Sequence, residues 1–234
     1  DELADVAIAD GEIAAIEPAG GKQHPATARS AKAAEVLDAA GLLVCPGLID
    51  PHVHCREPGR EAEETIATAA AAAVAGGFTT IVAMPNTDPP QDDETAIQYV
   101  VQRAAEANRA RVLPAGCITK GRTGEELAEM ALMQEAGAVA FTDDGDGVAS
   151  TAVMHRALQY AGMIGAPLLQ HCQDPALFGG AMHSGATAVR LGLRGIAASG
   201  EEIMLRRDLE LLGRTRGRYH VMHVSSAGSV ELIR

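Results

Sequence analysis

The amino-acid sequence predicts an α/β fold: a parallel sheet covered by helices and curled into a (β/α)8 barrel, with about six of the eight strands present. Two patterns carry this expectation. Strand and helix patterns alternate through most of the 234 residues, which calls for parallel strands joined by crossover helices. A doubly wound open sheet and a barrel both satisfy that alternation, and the second pattern separates them. Polar residues gather at the C-terminal ends of the strands in nearly every unit. A barrel brings all its strand ends to one mouth, whereas an open sheet brings together only those near its switch point. The core has to be built from Ala, Val, Leu, Ile and Met, because hydrophobic residues make up 47% of the chain while aromatics make up 3% and Trp is absent.

Residues 4–16 (ADVAIADGEIAAI) alternate apolar and polar side chains around Asp10-Gly11, a two-residue turn that tolerates positive φ, and predict a hairpin. Residues 20–32 read as a loop and residues 35–47 (EVLDAAGLLVCPG) as a further short strand pair, so residues 1–46 form part of a small β unit. After Pro46 the rhythm changes, and residues 47–234 are the incomplete barrel. Its strands are predicted at GLIDPHVH (47–54), FTTIVAMPN (78–86), RVLPAGCIT (111–119), AVAFTDDG (138–145), APLLQHC (166–172) and RYHVMHVSS (218–226). An Ala-rich helix over 61–77 is stopped by Gly76-Gly77. Helices follow at 93–107, 123–137, 151–162 and 199–213. Thr123 with Glu126 and Ser199 with Glu202 have the spacing of capping boxes, and Leu205, Leu209 and Leu212 share one face. Residues 226–234 read as the start of another helix.

Side chains alternate along a strand, so Leu48, Asp50, His52, His54 and Arg56 are expected on one face of the first barrel strand. Two imidazoles there can reach one metal ion, although an isolated HxH is a weak signal that reads more readily as two loop histidines facing solvent. Three further strand ends alter that balance. Asp143 and Asp144 end the fourth strand, His171 the fifth and His223 the sixth, while His220 has the opposite parity and is expected to face outward. Histidines and a carboxylate gathered at one mouth suit a zinc site with mixed N and O ligands. The other histidines have plainer places: His24 in a loop, His155 in a helix, and His183 in a long loop from which it could touch a substrate. Cys45, Cys55, Cys117 and Cys172 are widely spaced without a CxxC and read as reduced thiols of a cytoplasmic protein.

The stretches PGLIDPHVHCREPG, GGFTTIVAMPNTDPP, FTDDG, LGLRGIAASGEEIMLRRDLEL and YHVMHVSSAGSVELIR, in this order and spacing, resemble the bacterial class I dihydroorotases of the amidohydrolase superfamily across essentially the whole chain. The resemblance implies a TIM barrel of the metal-dependent hydrolase type, with a partial β-sandwich domain at residues 1–46. It implies an enzyme that interconverts N-carbamoyl-L-aspartate and (S)-dihydroorotate in de novo pyrimidine biosynthesis. One or two zinc ions would be held, the first by His52 and His54 and the second by His171 and His223, with Asp144 bridging. Arg56 and Asn86 would bind the substrate carboxylate, with His54 also lining the substrate site. A guanidinium grips a carboxylate as a bidentate fork, so Arg56 suits that role physically. The related hydantoinases and allantoinases bridge their metals with a carboxylated lysine on the fourth strand. The lysines here are Lys22, Lys32 and Lys120, so none falls between residues 121 and 234 and no carbamate bridge can form there.

The chain opens at Asp1 without Met and stops at Arg234 in mid-pattern, whereas family members continue through two more strands. The expectation is therefore a fragment, inactive by itself, whose general acid/base Asp lies beyond residue 234. Two other readings stay open: a non-catalytic dihydroorotase-like subunit that scaffolds aspartate transcarbamoylase, and a hydantoinase- or allantoinase-type cyclic amidase. Against the first, the chain keeps every ligand its length allows. A net charge of -12 argues against nucleic acid and anionic membranes as partners. No apolar run reaches the ~18 residues of a membrane span, and no signal peptide is visible. The expected partners are a small-molecule substrate, further copies of the chain, and aspartate transcarbamoylase.

Overall fold

The structure is a computed structural model that describes residues 3–18 and 35–234 and divides into two units, Asp1–Pro46 and Gly47–Arg234. The predicted loop at 20–32, with His24, Lys22 and Lys32, lies outside the described residues.

In the first unit β1 (Ala4–Ala9) pairs antiparallel with β2 (Glu12–Pro18). Asp10 at φ 54° and Gly11 at φ 79° form the predicted turn, both in the left-handed region that a two-residue hairpin requires. The strand pair expected at 35–47 is not formed. Asp38 accepts a hydrogen bond from Ala40 N at 2.9 Å, and the chain turns at Ala40-Gly41.

The second unit runs β3 (Leu48–Val53), α1 (Ile66–Ala75), β4 (Phe78–Ala83), α2 (Glu94–Ala107), β5 (Arg111–Gly116), α3 (Met130–Ala136), β6 (Ala140–Phe141), α4 (Thr151–Ile164), β7 (Pro167–Gln170), β8 (Met182–His183), α5 (Ala186–Leu191), β9 (Gly195–Ile196), α6 (Ser199–Leu212), β10 (Arg218–Val221) and α7 (Ala227–Ile233). Six of these strands form one parallel sheet in the order β3-β4-β5-β6-β7-β10. Each strand lies beside its predecessor in that series and the order never reverses. The sheet therefore has no switch point, and the fold is the barrel type rather than the doubly wound one. The small β8-β9 pair, joined by α5, occupies the excursion between β7 and β10. It takes in His183, which is thus in a strand and not in a plain loop.

Period-two alternation gives the sheet two apolar faces. On the inner face Val82, Met84, Ala115, Ala140, Leu169 and Met222 pack on one another. On the outer face, Ile81, Ala83 and Val112 meet Ile66, Ala69 and Ala70 of α1 and Val100 of α2. Further along that face Phe141 and Leu168 meet Met130, Met133, Met154 and Leu158, all fully buried. Unbranched methionines fill the gaps that a core with few aromatics leaves. Truncating Leu158 to Ala would cost about 2–5 kcal/mol, the usual range for emptying such a site.

Helix starts show where local signals hold and where tertiary contacts override them. Thr65 caps α1, accepting from Thr68 N at 3.1 Å while Thr65 N donates to Thr68 Oγ1 at 3.0 Å. Asp93 caps α2 through Ala96 N. The two predicted capping boxes do not form. Residues 123–129 are not helical, because the chain folds back along the extension of β5: Lys120 N donates to Glu126 O and Ala128 N to Ile118 O, each at 2.9 Å. Gly124 stands at φ 74° and α3 begins only at Met130. Helix α6 starts at Ser199 without a side-chain cap, since Glu201 instead accepts from Ser225 N and Ser226 N and Glu202 accepts from the Ser226 hydroxyl. No helix among the described residues is long and apolar enough to cross a membrane.

Candidate metal centre

The site is built at the C-terminal ends of β3, β6, β7 and β10. Extended backbone at the end of β3 places His52 and His54 on one side, and Asp50 steadies the first by accepting from His52 N at 3.0 Å. Their Nε2 atoms are 3.3 Å apart and lie 3.2 Å and 3.3 Å from Asp144 Oδ2. The other carboxylate oxygen, Oδ1, lies 3.3 Å from His171 Nδ1 and 3.4 Å from His223 Nε2, and those two nitrogens are 3.0 Å apart. Two triangles of donors, His52-His54-Asp144 and Asp144-His171-His223, therefore share one carboxylate, a different oxygen facing each. Ligands about 2.0–2.1 Å from a tetrahedral zinc ion are separated by about 3.3 Å along each edge, so both triangles have the spacing of one coordination face.

The shared carboxylate dominates the electrostatics of the site. Burial alone would raise the Asp144 carboxyl, but hydrogen bonds from His171, His223 and His52 outweigh it and hold the group far below the usual carboxylate range. Burial pushes the His54 imidazole down, against the hydrogen bond to Asn86 and the Asp144 charge, which keeps a lone pair available. His171 is raised, first by its bond to Asp144 and against the cost of burial.

The two adjacent aspartates divide the work. Asp143 turns away from the histidines and accepts from Ile118 N at 2.8 Å, Thr119 N at 3.0 Å and the Thr119 hydroxyl. Burial drives its carboxyl up and those donors oppose it. Gly147 lets the same loop press on β7: a Cβ there would lie 2.6 Å from the His171 carbonyl oxygen.

Three residues near the strand ends depart from their expected placement. His220 has the parity of Met222, which packs into the inner cluster, and its imidazole is pushed down first by burial and then by the His52 ring. It faces the inner side, contrary to expectation. His223 reaches Asp144 because its backbone, at φ 30°, has already left the strand. Arg56 also lies past the end of β3, at φ 58°, with Nε 3.8 Å from Glu63 Oε2. Asn86 Oδ1 lies 2.9 Å from His54 Nδ1, so one end of its amide orients that histidine.

Two polar residues escaped the sequence reading. Glu57, 2% exposed, accepts from Ile66 N at 2.8 Å, Tyr99 Oη at 3.0 Å and Arg103 Nε at 2.6 Å, tying the loop after Arg56 to α1 and α2. Gln173 Oε1 lies 2.8 Å from His171 Nε2. A Gln two residues beyond a candidate ligand was the available signal for the second; nothing local marked the first. A cavity of about 510 Å³ opens beside His171 and His223 and is also lined by Gln173, His183, Leu177 and Phe178. All four cysteines are free. Burial pushes the Cys55 and Cys172 thiols up to about 12, so neither is a thiolate ligand or nucleophile at neutral pH.

Residues 41–229 match the protein-family model described as dihydro-orotase-like. A curated dihydroorotase of Pelotomaculum thermopropionicum is 53% identical over 234 residues, 100% of this chain and 52% of the relative. One of Aquifex aeolicus is 48% identical over 200 residues, 86% of this chain and 47% of the relative. The chain thus spans about half the length of the curated relatives it matches. Among solved structures, dihydropyrimidinase from Brevibacillus agri aligns with a TM-score of 0.71 at 21% identity, over 98% of this chain and 50% of that one. L-Hydantoinase from Arthrobacter aurescens aligns at 0.69 and 23%, over 98% and 51%. At those identities the likeness establishes the barrel fold.

Proposed function

The chain belongs to the dihydro-orotase-like family, and on that premise we propose that it supplies the metal-binding part of a zinc-dependent dihydroorotase, interconverting N-carbamoyl-L-aspartate and (S)-dihydroorotate. The observation that carries this reading is the Asp144 carboxylate, whose two oxygens each face a separate pair of histidines. The donor set of four imidazole nitrogens and one carboxylate is the borderline mixture that zinc prefers. When bound, zinc supplies Lewis-acid polarisation of an amide carbonyl and acidifies water near neutral pH.

The chain's own residues do the rest. Asp144 would hold both ions in the place of a carboxylated lysine, since no lysine lies between residues 121 and 234. Arg56 grips the substrate carboxylate, and Asn86, with Oδ1 committed to His54, turns its amide N–H groups to the same task. These contacts fix the pose of the ring against the histidine pairs. The acid/base Asp that moves the proton to the leaving nitrogen is assigned to sequence after residue 234. Buried, unpaired cysteines support a reducing cytoplasmic setting. Self-association and docking of aspartate transcarbamoylase belong to the same reading and are checked by sedimentation with and without that partner.

The test is turnover by the protein expressed from its full reading frame, stripped of metal and reloaded with zinc. Dihydroorotate should be hydrolysed in proportion to zinc bound, while hydantoin and allantoin are poor substrates. A preference for either of those, or binding of zinc without turnover of any cyclic amide, would reject the assignment.

A further inference from the structure

Resting on the metal-centre reading, we infer that Gln173 is a positioning residue that holds His171 as its Nε2–H tautomer and thereby sets how tightly the His171-His223-Asp144 half takes its ion. A neutral imidazole carries one N–H and one lone pair, and a metal needs the lone pair. The nitrogen of His171 that faces the other donors is Nδ1, 3.3 Å from Asp144 Oδ1 and 3.0 Å from His223 Nε2. The ring can offer a lone pair there only if its proton sits on Nε2.

Asp144 by itself favours the wrong tautomer. A carboxylate oxygen beside Nδ1 is a strong acceptor and would draw the proton into the site. Gln173 opposes this with a shorter contact, its Oε1 2.8 Å from Nε2, and an amide oxygen there demands an N–H. Among the described residues it is the group placed to accept from that nitrogen. Because the side chain is neutral, it fixes the ring without adding negative charge to a centre that already holds Asp144.

The other half is built on the same plan with the nitrogens exchanged. Asn86 Oδ1 lies 2.9 Å from His54 Nδ1, which leaves the His54 lone pair on Nε2, 3.3 Å from Asp144 Oδ2. Each half therefore contains one histidine whose ring N–H donates to an amide oxygen. For His54 the amide comes from the end of the neighbouring strand; for His171 it comes from two residues along the same segment. Partners of this kind commonly account for about 10- to 100-fold in metal affinity.

The experiment is zinc titration against a competing chelator in the full-reading-frame protein, with His52→Ala used to assign which ion is which. Gln173→Met removes the acceptor at similar length, and Gln173→Glu keeps it. Gln173→Met should weaken the His171/His223 ion by about 10- to 100-fold and leave the other within about twofold, while Gln173→Glu stays within severalfold of the parent. The inference is overturned if Gln173→Met binds both ions as the parent does, if it loses both equally, if Gln173→Glu loses the ion as badly, or if the parent binds a single ion. Zinc binding that behaves as expected in a parent unable to turn over dihydroorotate would sink the enzyme assignment and leave this one standing.

Discussion

The two halves of the candidate metal centre reach the same donor spacing by different routes. His52 lies in β3 and His54 just past its end, two residues apart on one extended segment, and their Nε2 atoms are 3.3 Å apart. His171 and His223 stand 52 residues apart in sequence and leave two different strands, and one of them turns through φ 30° before it meets its partner. The first pair is a property of local geometry. The second exists only if β7 and β10 pair in register, the loop after β6 packs against β7, and α6 fixes residues 225 and 226 through Glu201. The first half should therefore tolerate disturbance of the barrel better than the second.

The largest effect is expected at the residue both halves share. Asp144→Ala should abolish binding of the ion at His171 and His223 and weaken the other, read as zinc per chain. Asp143→Ala should leave zinc content intact, and equal metal loss in the two variants would break the division of labour between them. Arg56→Met removes a charge-assisted contact worth about 1.5–3 kcal/mol, or roughly 10- to 150-fold in kcat/KM for dihydroorotate, with zinc content unchanged. Unaltered kinetics would remove Arg56 from the substrate site.

Gly147→Ala tests the tertiary half directly. A methyl 2.6 Å from the His171 carbonyl must displace the loop, so the second ion should weaken by about tenfold while the first holds. Comparable loss at both would show that the halves are not independent. For Asp143→Ala the expected cost is to stability. Stranding Ile118 N and Thr119 N costs about 1–3 kcal/mol, a fall of several degrees in Tm by calorimetry.

The smallest effect is a pH dependence beside the first half. Burial tends to raise the Glu57 carboxyl, but Arg103, Ile66 N and Tyr99 outweigh it and hold it below its ordinary value. A group lowered on folding contributes stability above the unfolded pKa, about 4.3 for Glu, and loses it as pH falls through the folded value. Glu57→Gln should therefore lower Tm at pH 7 and converge with the parent in acid. Parallel Tm curves down to acid pH would refute the linkage.

The alternation of strands and helices, the Asp10-Gly11 hairpin, the start of α7 and the pairing of His52 with His54 were legible in the sequence, because each depends on residues within one turn or one strand. So was the gathering of Asp144, His171 and His223 at one mouth, once a parallel barrel was assumed. Other features belong to the tertiary structure. His220 faces inward, and Arg56 and His223 leave the strand alternation, because period two lasts only while the backbone stays extended and both residues stand at positive φ. Thr123, Glu126, Ser199 and Glu202 carry capping spacing yet cap nothing, because a carboxylate or hydroxyl binds whichever donor packing brings nearest: Glu202 meets Ser226, 24 residues away, and Glu126 meets Lys120 where the chain folds back. Gln173 and Glu57 act through partners that only the folded chain supplies. Sequence by itself determined which side chains could do the chemistry and at which end of the sheet they gather. Which oxygen of Asp144 faces which histidine, and which nitrogen each ring presents, follow from distances of about 3 Å between segments far apart in the chain, and those are set only when the barrel packs.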